Sequence, residues 1–504
     1  MASRAFFGAF FLLFLLSTVI YRLYLHPLRR YPGPLLWRLT RLPWIISSMR
    51  GTLVQDVYAI HKKYGPMVRV APNELSFANP DAIKPIYQSH PEFPKDPDTL
   101  ARDSFAVPNI ISAPYEDHRR YRRLLSSAFS DRSINDKQDR LLTYVDSLIS
   151  QLSKTAERGE SVDLQTWFNW TTFDIIGDLA FGQPFGCLRD AKTHQWIIDL
   201  QAGIRGIAVL NALRRLRLGW LGKMLVAKKM IDGRRRTMRY SLEKIDERLQ
   251  YGAEPRGDFW DAVLGAKGAD LKESAEKGID VTGAAMTREE MVSNAQALVI
   301  AGSETSATLM AGCIWLLLRP KNRECLHKLA DEIRRSFRSA EEIVLANFNG
   351  LEYLRAVLDE SLRVYPPAPL PNNRVVTAKG ALISGQFVPP GTSVTFQQYS
   401  ASRSTNNFHR PHEFLPERWL PGVDPAFAHD QREAFQPFSA GPRNCIGRQL
   451  AYAEMRLVVA KLLWHFDLEL DYERMGGRDW LADQTAYILW EKGPLWVRLV
   501  PRKL

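Results

Sequence analysis

Cysteine is scarce in this 504-residue chain, and its copies lie far apart. They are Cys187, Cys313, Cys325 and Cys445, and no two of them form a C-x-x-C pair. A zinc ribbon or an iron–sulfur cluster would need clustered thiolates, and a disulfide framework would need a denser cysteine pattern. The sequence therefore argues against these three classes and favours a reducing compartment such as the cytosol.

The chain also lacks internal repeats, low-complexity stretches and a G-x-G-x-x-G dinucleotide motif. Because no linker-like segment divides it, residues 31–504 are predicted to form one large domain, mainly α with a small β region. Because no flavin or nicotinamide motif is present, any electrons that the protein uses must come from a separate partner.

Acidic residues are fewer than basic ones, which gives a net charge of +12. Nucleic acid, a membrane surface or an acidic protein would each account for such a charge. Between residues 201 and 240 the basic side chains alternate with apolar ones, and only Asp232 opposes them. This pattern is typical of a helix at a membrane surface, with a solvated helix face over a core as the alternative. We expect contact with a lipid bilayer and no nucleic-acid partner.

A long apolar run opens the chain. Residues 5–20 are almost wholly apolar, and the run continues to Leu25 with one interruption at Arg22. The length approaches the ~20 residues that cross a bilayer, and no small-residue cleavage site follows. Since arginines follow the run more often than they precede it, the main body stays on the cytosolic side. We predict residues 1–30 to be a single-pass anchor with the start of a proline hinge.

Periodicity predicts the elements that surround a site. Thr287 caps a helix that runs, apolar on most sides, to about Leu318. Amphipathic helices are predicted over residues 119–130, 351–364 and 448–466, a hairpin over residues 68–77, and short strands near Val375 and Val394.

Residues 438–447 carry the most chemical information, because they read F-x-x-G-x-R-x-C-x-G. Cys445 can give a thiolate to haem iron, which favours cleavage of the O–O bond. Gly441 and Gly447 let the backbone approach sulfur and porphyrin where a side chain would clash. Arg443 can pair with a haem propionate, and Phe438 can cover the sulfur. A lone buried core cysteine is the alternative, and the four companion residues argue against it.

A second motif is E-x-x-R at Glu360 and Arg363, whose spacing puts both charges on one helix face. Arg418, in the downstream segment P-E-R-W, can complete a buried network of three charges. Such a network is structural rather than catalytic. An exposed ion pair is the alternative.

A third motif, A-G-S-E-T at residues 301–305, interrupts the apolar run of the long helix. The helix is expected to loosen around Gly302 and leave room for dioxygen. Thr305 can then hydrogen-bond oxygen, and Glu304 can relay protons as a general acid. The alternative is that the threonine hydroxyl bonds the carbonyl four residues back.

These motifs, in this order, resemble the cytochrome P-450 superfamily of haem-thiolate monooxygenases, and the likeness covers essentially the whole chain. It implies the P-450 fold, with haem b (iron protoporphyrin IX) between the long helix and the cysteine-loop helix. It also implies that His118, Arg122 and Arg374 hold the haem propionates, with His118 replacing the family's commoner tryptophan. The anchor, residues 64–66 and the hairpin are similar to those of fungal members that tailor secondary metabolites.

The resemblance implies an enzyme of the endoplasmic reticulum membrane that inserts one oxygen atom from dioxygen into a lipophilic substrate. NADPH–cytochrome reductase would be its electron donor. The expected pocket residues, each of which ordinary core packing would also explain, are Phe105, Val107, Ile110, Ile111, Ala297, Ala301, Ala368 and Leu370. Two alternatives stay open: a haem isomerase or dehydratase that needs no reductase, and a non-enzymatic haem carrier or gas sensor.

Overall fold

The computed structural model describes residues 2–98, 107–218, 220, 228–252, 254–264, 285–422 and 424–502. Phe105, one of the expected pocket residues, lies outside these ranges. All other residues singled out from the motifs lie inside them.

The first helix, Ala2–Ile20, continues into a π-helical turn at Tyr21–Leu25. Its segment Phe6–Leu25 is long and apolar enough to cross a membrane, and none of it is buried against the rest of the chain. Apolar side chains that the protein does not cover need an apolar surrounding, which a bilayer provides. The apolar N-terminal helix that the sequence predicts is therefore present as a candidate anchor.

Helices form most of the domain. In chain order they are Leu35–Leu39, Leu42–Arg50, Leu53–Tyr64, Ile83–Tyr87, Tyr115–Ser126, Asp131–Asp136, Gln138–Glu157, Leu164–Phe181, Cys187–Asp190, Gln195–Arg215, Lys228–Gln250, Arg288–Leu318, Arg323–Ser336, Glu352–Val364, Gln398–Ala401, Arg448–His465 and Tyr472–Met475. Three of them frame the site and are named by position: the central helix (Arg288–Leu318), the ion-pair helix (Glu352–Val364) and the cysteine helix (Arg448–His465).

The strands are short and belong to small sheets at the edges of the helical body. They are β1 Met67–Ala71, β2 Glu74–Phe77, β3 Ser161–Asp163, β4 Arg374–Val375, β5 Ala381–Ile383, β6 Gln386–Val388, β7 Ser393–Phe396, β8 Phe466–Leu470, β9 Thr485–Ala486, β10 Trp490–Glu491 and β11 Trp496–Pro501. Among the described residues the main sheet has the order β1-β2-β7-β4, and a second sheet has the order β3-β11-β8. The predicted hairpin is the antiparallel pair β1–β2.

The central helix begins at the predicted cap. The hydroxyl of Thr287 accepts the Glu290 N–H at 3.2 Å, and the Glu290 carboxylate accepts the Thr287 N–H at 2.8 Å. This capping box satisfies donors that a helix start leaves open. The helix then runs unbroken through Gly302, so the expected loosening is not seen. A Cβ at Gly302 would lie 2.7 Å from Ile176 Cδ1, so the glycine serves close helix packing instead.

A buried network of charges joins the ion-pair helix to the P-E-R-W segment. Glu360, Arg363 and Arg418 are each no more than 1% exposed. The Glu360 carboxylate accepts Arg363 Nη2 and Nε at 2.7 and 2.8 Å, Arg418 Nε at 3.2 Å and Trp419 Nε1 at 2.9 Å. Burial raises the pKa of Glu360, and the two guanidinium groups outweigh that effect and lower it. The carboxylate is therefore kept ionised by guanidinium groups that are themselves buried away from water.

We expect Glu360→Gln to lower the free energy of unfolding by about 3–5 kcal/mol, because buried Arg363 loses its counter-charge. Arg418 keeps a second buried partner, Asp430. Urea unfolding of the detergent-solubilised protein measures the change. Glu324→Gln is the matched control, because Glu324 and its partner Lys328 are 79% and 46% exposed. The control should cost less than about 1 kcal/mol, and equal costs for the two variants would contradict the structural role of the network.

Candidate functional site

A cavity of about 340 Å³ lies between the central helix and residues 436–447. Its volume is in the range of small-molecule sites in proteins. The early basic helix Tyr115–Ser126, the segment 366–372 that follows the ion-pair helix, and the start of the cysteine helix complete its walls. All three sequence motifs therefore contribute to this cavity or border it.

Cys445 differs from the other cysteines in what it faces. Cys187, Cys313 and Cys325 are buried in the core, and burial raises the pKa of the Cys187 and Cys313 thiols to about 12. Cys445 lines the cavity, and its exposed surface opens onto that space. Cys445 is thus the thiol that a cavity-bound group can reach.

The environment of Cys445 works both for and against a thiolate. Burial raises the pKa of this thiol, while the backbone N–H of Gly447 and the charges of Arg122 and Arg448 lower it. The net direction is upward, so the protein alone favours the neutral thiol. A cation at the sulfur would reverse that preference, as metal ions do for cysteine ligands.

The loop that carries Cys445 is fixed by backbone contacts. The Cys445 N–H donates to the Phe438 carbonyl at 2.8 Å, and the Asn444 N–H donates to the Gly441 carbonyl at 3.1 Å. Gly441 has φ +75°, and a Cβ there would lie 2.0 Å from the Tyr87 carbonyl oxygen. The crowding at Gly441 therefore comes from the chain itself, whereas the sequence suggested crowding by sulfur and porphyrin.

Gly447 has no such neighbour among the described residues, because a Cβ there would meet only Phe129, at 4.0 Å. It lines the cavity together with Phe438. The Phe438 ring packs against Tyr452 with 5.3 Å between the centroids. None of the described residues therefore crowds a side chain at 447.

Basic side chains gather at the cavity. Lys95, His118, Arg122 and Arg443 line it, and Arg374 is buried beside them. Burial and the charges of the other four lower the pKa of His118 to about 3. Burial, Arg374 and Arg443 lower the pKa of Lys95 to about 7. A bound anion would relieve this mutual repulsion, so the cluster is typical of an anion-binding site.

The partners of these cations differ. Within the described part of the chain, Arg374 Nε and Nη1 are buried without a hydrogen-bond partner. Arg443 instead pairs with Glu92 and donates to the Ala113 carbonyl at 2.8 Å. Arg122 donates to the carbonyl and side-chain oxygens of Asn444 at 2.6 and 2.7 Å, which ties the early basic helix to the cysteine loop.

Lys95 and Glu92 were not found from the sequence. Both lie in a loop without a motif, more than twenty residues before His118, and only the fold brings them to this group of basic side chains. Lys95 donates to the Ile111 carbonyl, so it also joins the cation cluster to the apolar wall.

The two candidate residues of the A-G-S-E-T segment lie in different surroundings. Thr305 lines the cavity and donates its hydroxyl to the Ala301 carbonyl at 2.6 Å, which is the alternative that the sequence left open. Glu304 is not among the described residues that line the cavity. It forms a buried ion pair with Lys492, which also donates to Thr308 Oγ1 at 2.8 Å. A direct proton relay through Glu304 is therefore not formed in this geometry.

Part of the cavity wall is apolar. Six of the expected residues line it, namely Ile110, Ile111, Ala297, Ala301, Ala368 and Leu370. Val107 does not: its carbonyl accepts the Ser293 hydroxyl at 2.7 Å behind the wall. Lining residues that the sequence did not single out include Leu298, Leu309, Pro367 and Phe396. A lipophilic ligand fits such a surface.

We expect Gly441→Ala to destabilise the protein by about 2–5 kcal/mol, because a left-handed φ and a backbone clash act together. Gly385→Ala is the matched control. Gly385 has the same φ of +75° but nothing within 4 Å of its Cβ position, so it should cost only about 1–2 kcal/mol. Urea unfolding compares the two variants, and similar costs would refute the contact with Tyr87.

Known proteins resemble this chain over nearly its whole length. The cytochrome P-450 family model matches residues 31–478. An averantin hydroxylase of Dothistroma septosporum is 52% identical over 98% of this chain and 90% of its own. The averantin hydroxylase of Aspergillus parasiticus is 52% identical over 96% of this chain and 95% of its own. A versicolorin B desaturase of Dothistroma septosporum is 39% identical over 96% and 91%. The chain therefore belongs to the cytochrome P-450 family of monooxygenases.

Proposed function

We propose that this protein binds haem b in the cavity and hydroxylates averantin or a compound of the same class. The observation that carries the proposal is that a reachable thiol, a cluster of basic side chains only partly neutralised by Glu92, and an apolar wall meet in one cavity. The substrate rests on the 52% identity to averantin hydroxylases of two fungi. Electrons would come from NADPH–cytochrome reductase in the endoplasmic reticulum membrane, with Phe6–Leu25 as the anchor.

The residues present fit a haem group with two propionates. Arg374 has buried nitrogens without partners in the described ranges, and carboxylates are the groups that guanidinium nitrogens bind best. Cys445 would bind the iron, and Lys95, His118, Arg122 and Arg374 would hold the propionates. Arg443 could contribute only if its pairing with Glu92 is shared or exchanged. When bound, haem iron supplies the activation of dioxygen.

The loop prepares Cys445 for this role. Its sulfur starts as a thiol whose pKa burial raises, so losing the proton requires nearby positive charge. Arg122, Arg448 and the Gly447 N–H provide part of it, and the iron would provide the rest. Phe438 packs against Tyr452 and lines the cavity with Cys445, where its ring would help to keep water from the sulfur and preserve the strength of these electrostatic interactions.

Protons must reach the oxygen side of the cavity from this chain's own groups. Thr305 is the hydroxyl on the central-helix wall, and its bond to the Ala301 carbonyl fixes its position. A hydroxyl so held can accept one proton and pass on another without moving its oxygen. Glu304 lies behind it, neutralised by Lys492, so release of that ion pair would be needed before Glu304 could act.

We expect Cys445→Ala to abolish the absorption band that reduced haem-thiolate protein gives with carbon monoxide, because the alanine offers the iron no sulfur. Cys313→Ala removes a thiol from the core, away from the cavity, and should keep the band. Visible spectra of the reduced, carbon monoxide-treated proteins decide between these outcomes. A band that survives in Cys445→Ala would overturn the assignment of the ligand.

The substrate proposal predicts hydroxylated product when averantin is supplied with NADPH and a fungal NADPH–cytochrome reductase. Mass spectrometry of the product, with ¹⁸O₂ as the oxygen source, measures incorporation of one atom. Versicolorin B is the comparison substrate, because desaturases that act on it are 39% identical to this chain. Product without reductase would favour an isomerase, and no turnover of either compound despite a normal haem spectrum would refute the substrate class.

A further inference from the structure

Glu454 is a buried acid on the cavity wall that the mechanism above does not use. It lies on the cysteine helix, nine residues after Cys445, and is 1% exposed. It lines the same cavity. Neither of its carboxylate oxygens has a hydrogen-bond partner among the residues that the structure describes. An ionised carboxylate in such a place is costly, because neither water nor a cation compensates its charge.

The polar neighbour of Glu454 is Ser306 on the central helix, next to Thr305. Ser306 is 4% exposed and also lines the cavity. Burial raises the pKa of Glu454 to about 8, and the Ser306 hydroxyl opposes that shift. The acid and the hydroxyl thus meet where the cysteine helix packs against the central helix.

No charged side chain contributes to the pKa of Glu454. Several charged groups on or next to the helices packed against the cysteine helix are paired. These pairs are Asp146 with Lys461, Asp359 with Arg355, Arg334 with Asp467 and Glu304 with Lys492. On the cysteine helix itself, Arg448 and Arg456 lie over the rings of Phe438 and Tyr452. Asp131 acts on Arg456, and His465 lies near Asp146 and Lys461.

Glu304 and Glu454 therefore have opposite surroundings. Glu304 is matched by a lysine and is held outside the cavity lining, whereas Glu454 faces the cavity with no cation beside it. A buried acid with a cationic partner stays ionised, and one without a partner keeps its proton.

We propose that Glu454 is a positioning residue that stays protonated at neutral pH and keeps the wall beside Thr305 uncharged. This inference rests on the proposed function, since it places the neutral acid in the cavity of a haem–thiolate. Among the described residues that line the cavity, Cys445 is then the one that presents negative charge to the iron. Ionisation of Glu454 would add a second negative charge nearby and would make the iron harder to reduce.

The test is a redox titration of the holoenzyme between about pH 6 and pH 10, a window that brackets the Glu454 pKa of about 8. The reduction potential of the wild type should fall as pH rises through this range. Glu454→Gln keeps the shape of the side chain and cannot ionise, so the variant should show a clearly smaller fall. The remainder comes from Lys95, whose pKa of about 7 lies in the same window. Glu324→Gln removes an exposed acid that does not line the cavity and should retain the full fall. Identical pH dependence in wild type and Glu454→Gln would overturn the proposal.

Thermal unfolding gives a second, independent readout. The folded pKa of Glu454 lies above its ordinary value of 4.5, so the folded state keeps a proton that the unfolded state has lost. Stability then falls as pH rises from the ordinary value through the folded pKa. Glu454→Gln removes this loss, and its Tm should exceed that of the wild type by several degrees at pH 8 and by little at pH 5. A Tm difference that does not grow with pH would also count against the proposal.

If Glu454→Gln fails to fold, Ser306→Ala is the variant that tests the proposal. Because Ser306 lowers the pKa of Glu454, its removal should move the inflection of the redox titration to higher pH, and an unmoved inflection would overturn the proposal. The carbon monoxide spectrum of the wild type separates the two hypotheses. A colourless wild type would refute the proposed function, whereas a normal spectrum without the pH effect would refute only the role of Glu454.

Discussion

The electrostatics of the Cys445 sulfur are the main constraint on this site. Burial makes the Cys445 thiolate unfavourable, and the nearby Gly447 N–H, Arg122 and Arg448 do not fully compensate. A group that brings positive charge to the sulfur therefore gains binding energy, because it compensates a thiolate charge that the protein alone disfavours. The two arginine contacts to Asn444 hold the loop in place for that purpose, and Gly441 allows the loop to pass the Tyr87 carbonyl.

The basic residues of the cavity repeat the argument with the other sign. Lys95, His118, Arg122, Arg374 and Arg443 crowd together, and Glu92 is the acid that pairs with Arg443. Their repulsion is tolerable only because a rigid frame holds them, and an anion with two carboxylates would relieve it. A neutral Glu454 would leave Cys445 as the negative group among the described residues that line the cavity. Arg122 would then serve both the sulfur and the basic cluster, because it bonds Asn444 next to Cys445.

The sequence predicted the frame well where the signal is local. The cap at Thr287, the helix that ends before Tyr365, the hairpin β1–β2 and the helix after Cys445 all follow from periodicity and turn residues. The family inferred from three motifs is confirmed by the match over residues 31–478. The network of Glu360, Arg363 and Arg418 forms with the expected members, because the helical spacing of the first two leaves only the third to be brought in by the fold.

Motif spacing by itself singled out Cys445 as the candidate iron ligand and placed Thr305 and Glu360 on helices. These residues are close in sequence to the turns and helices that orient them, so local geometry suffices. Tertiary structure alone decided that Lys492 would neutralise Glu304, that Lys95 would join the basic cluster, and that Glu454 would face the cavity without a hydrogen-bond partner among the described residues. Each of these outcomes depends on segments far apart in the chain, and charge and burial there are properties of the packed neighbours rather than of the residue.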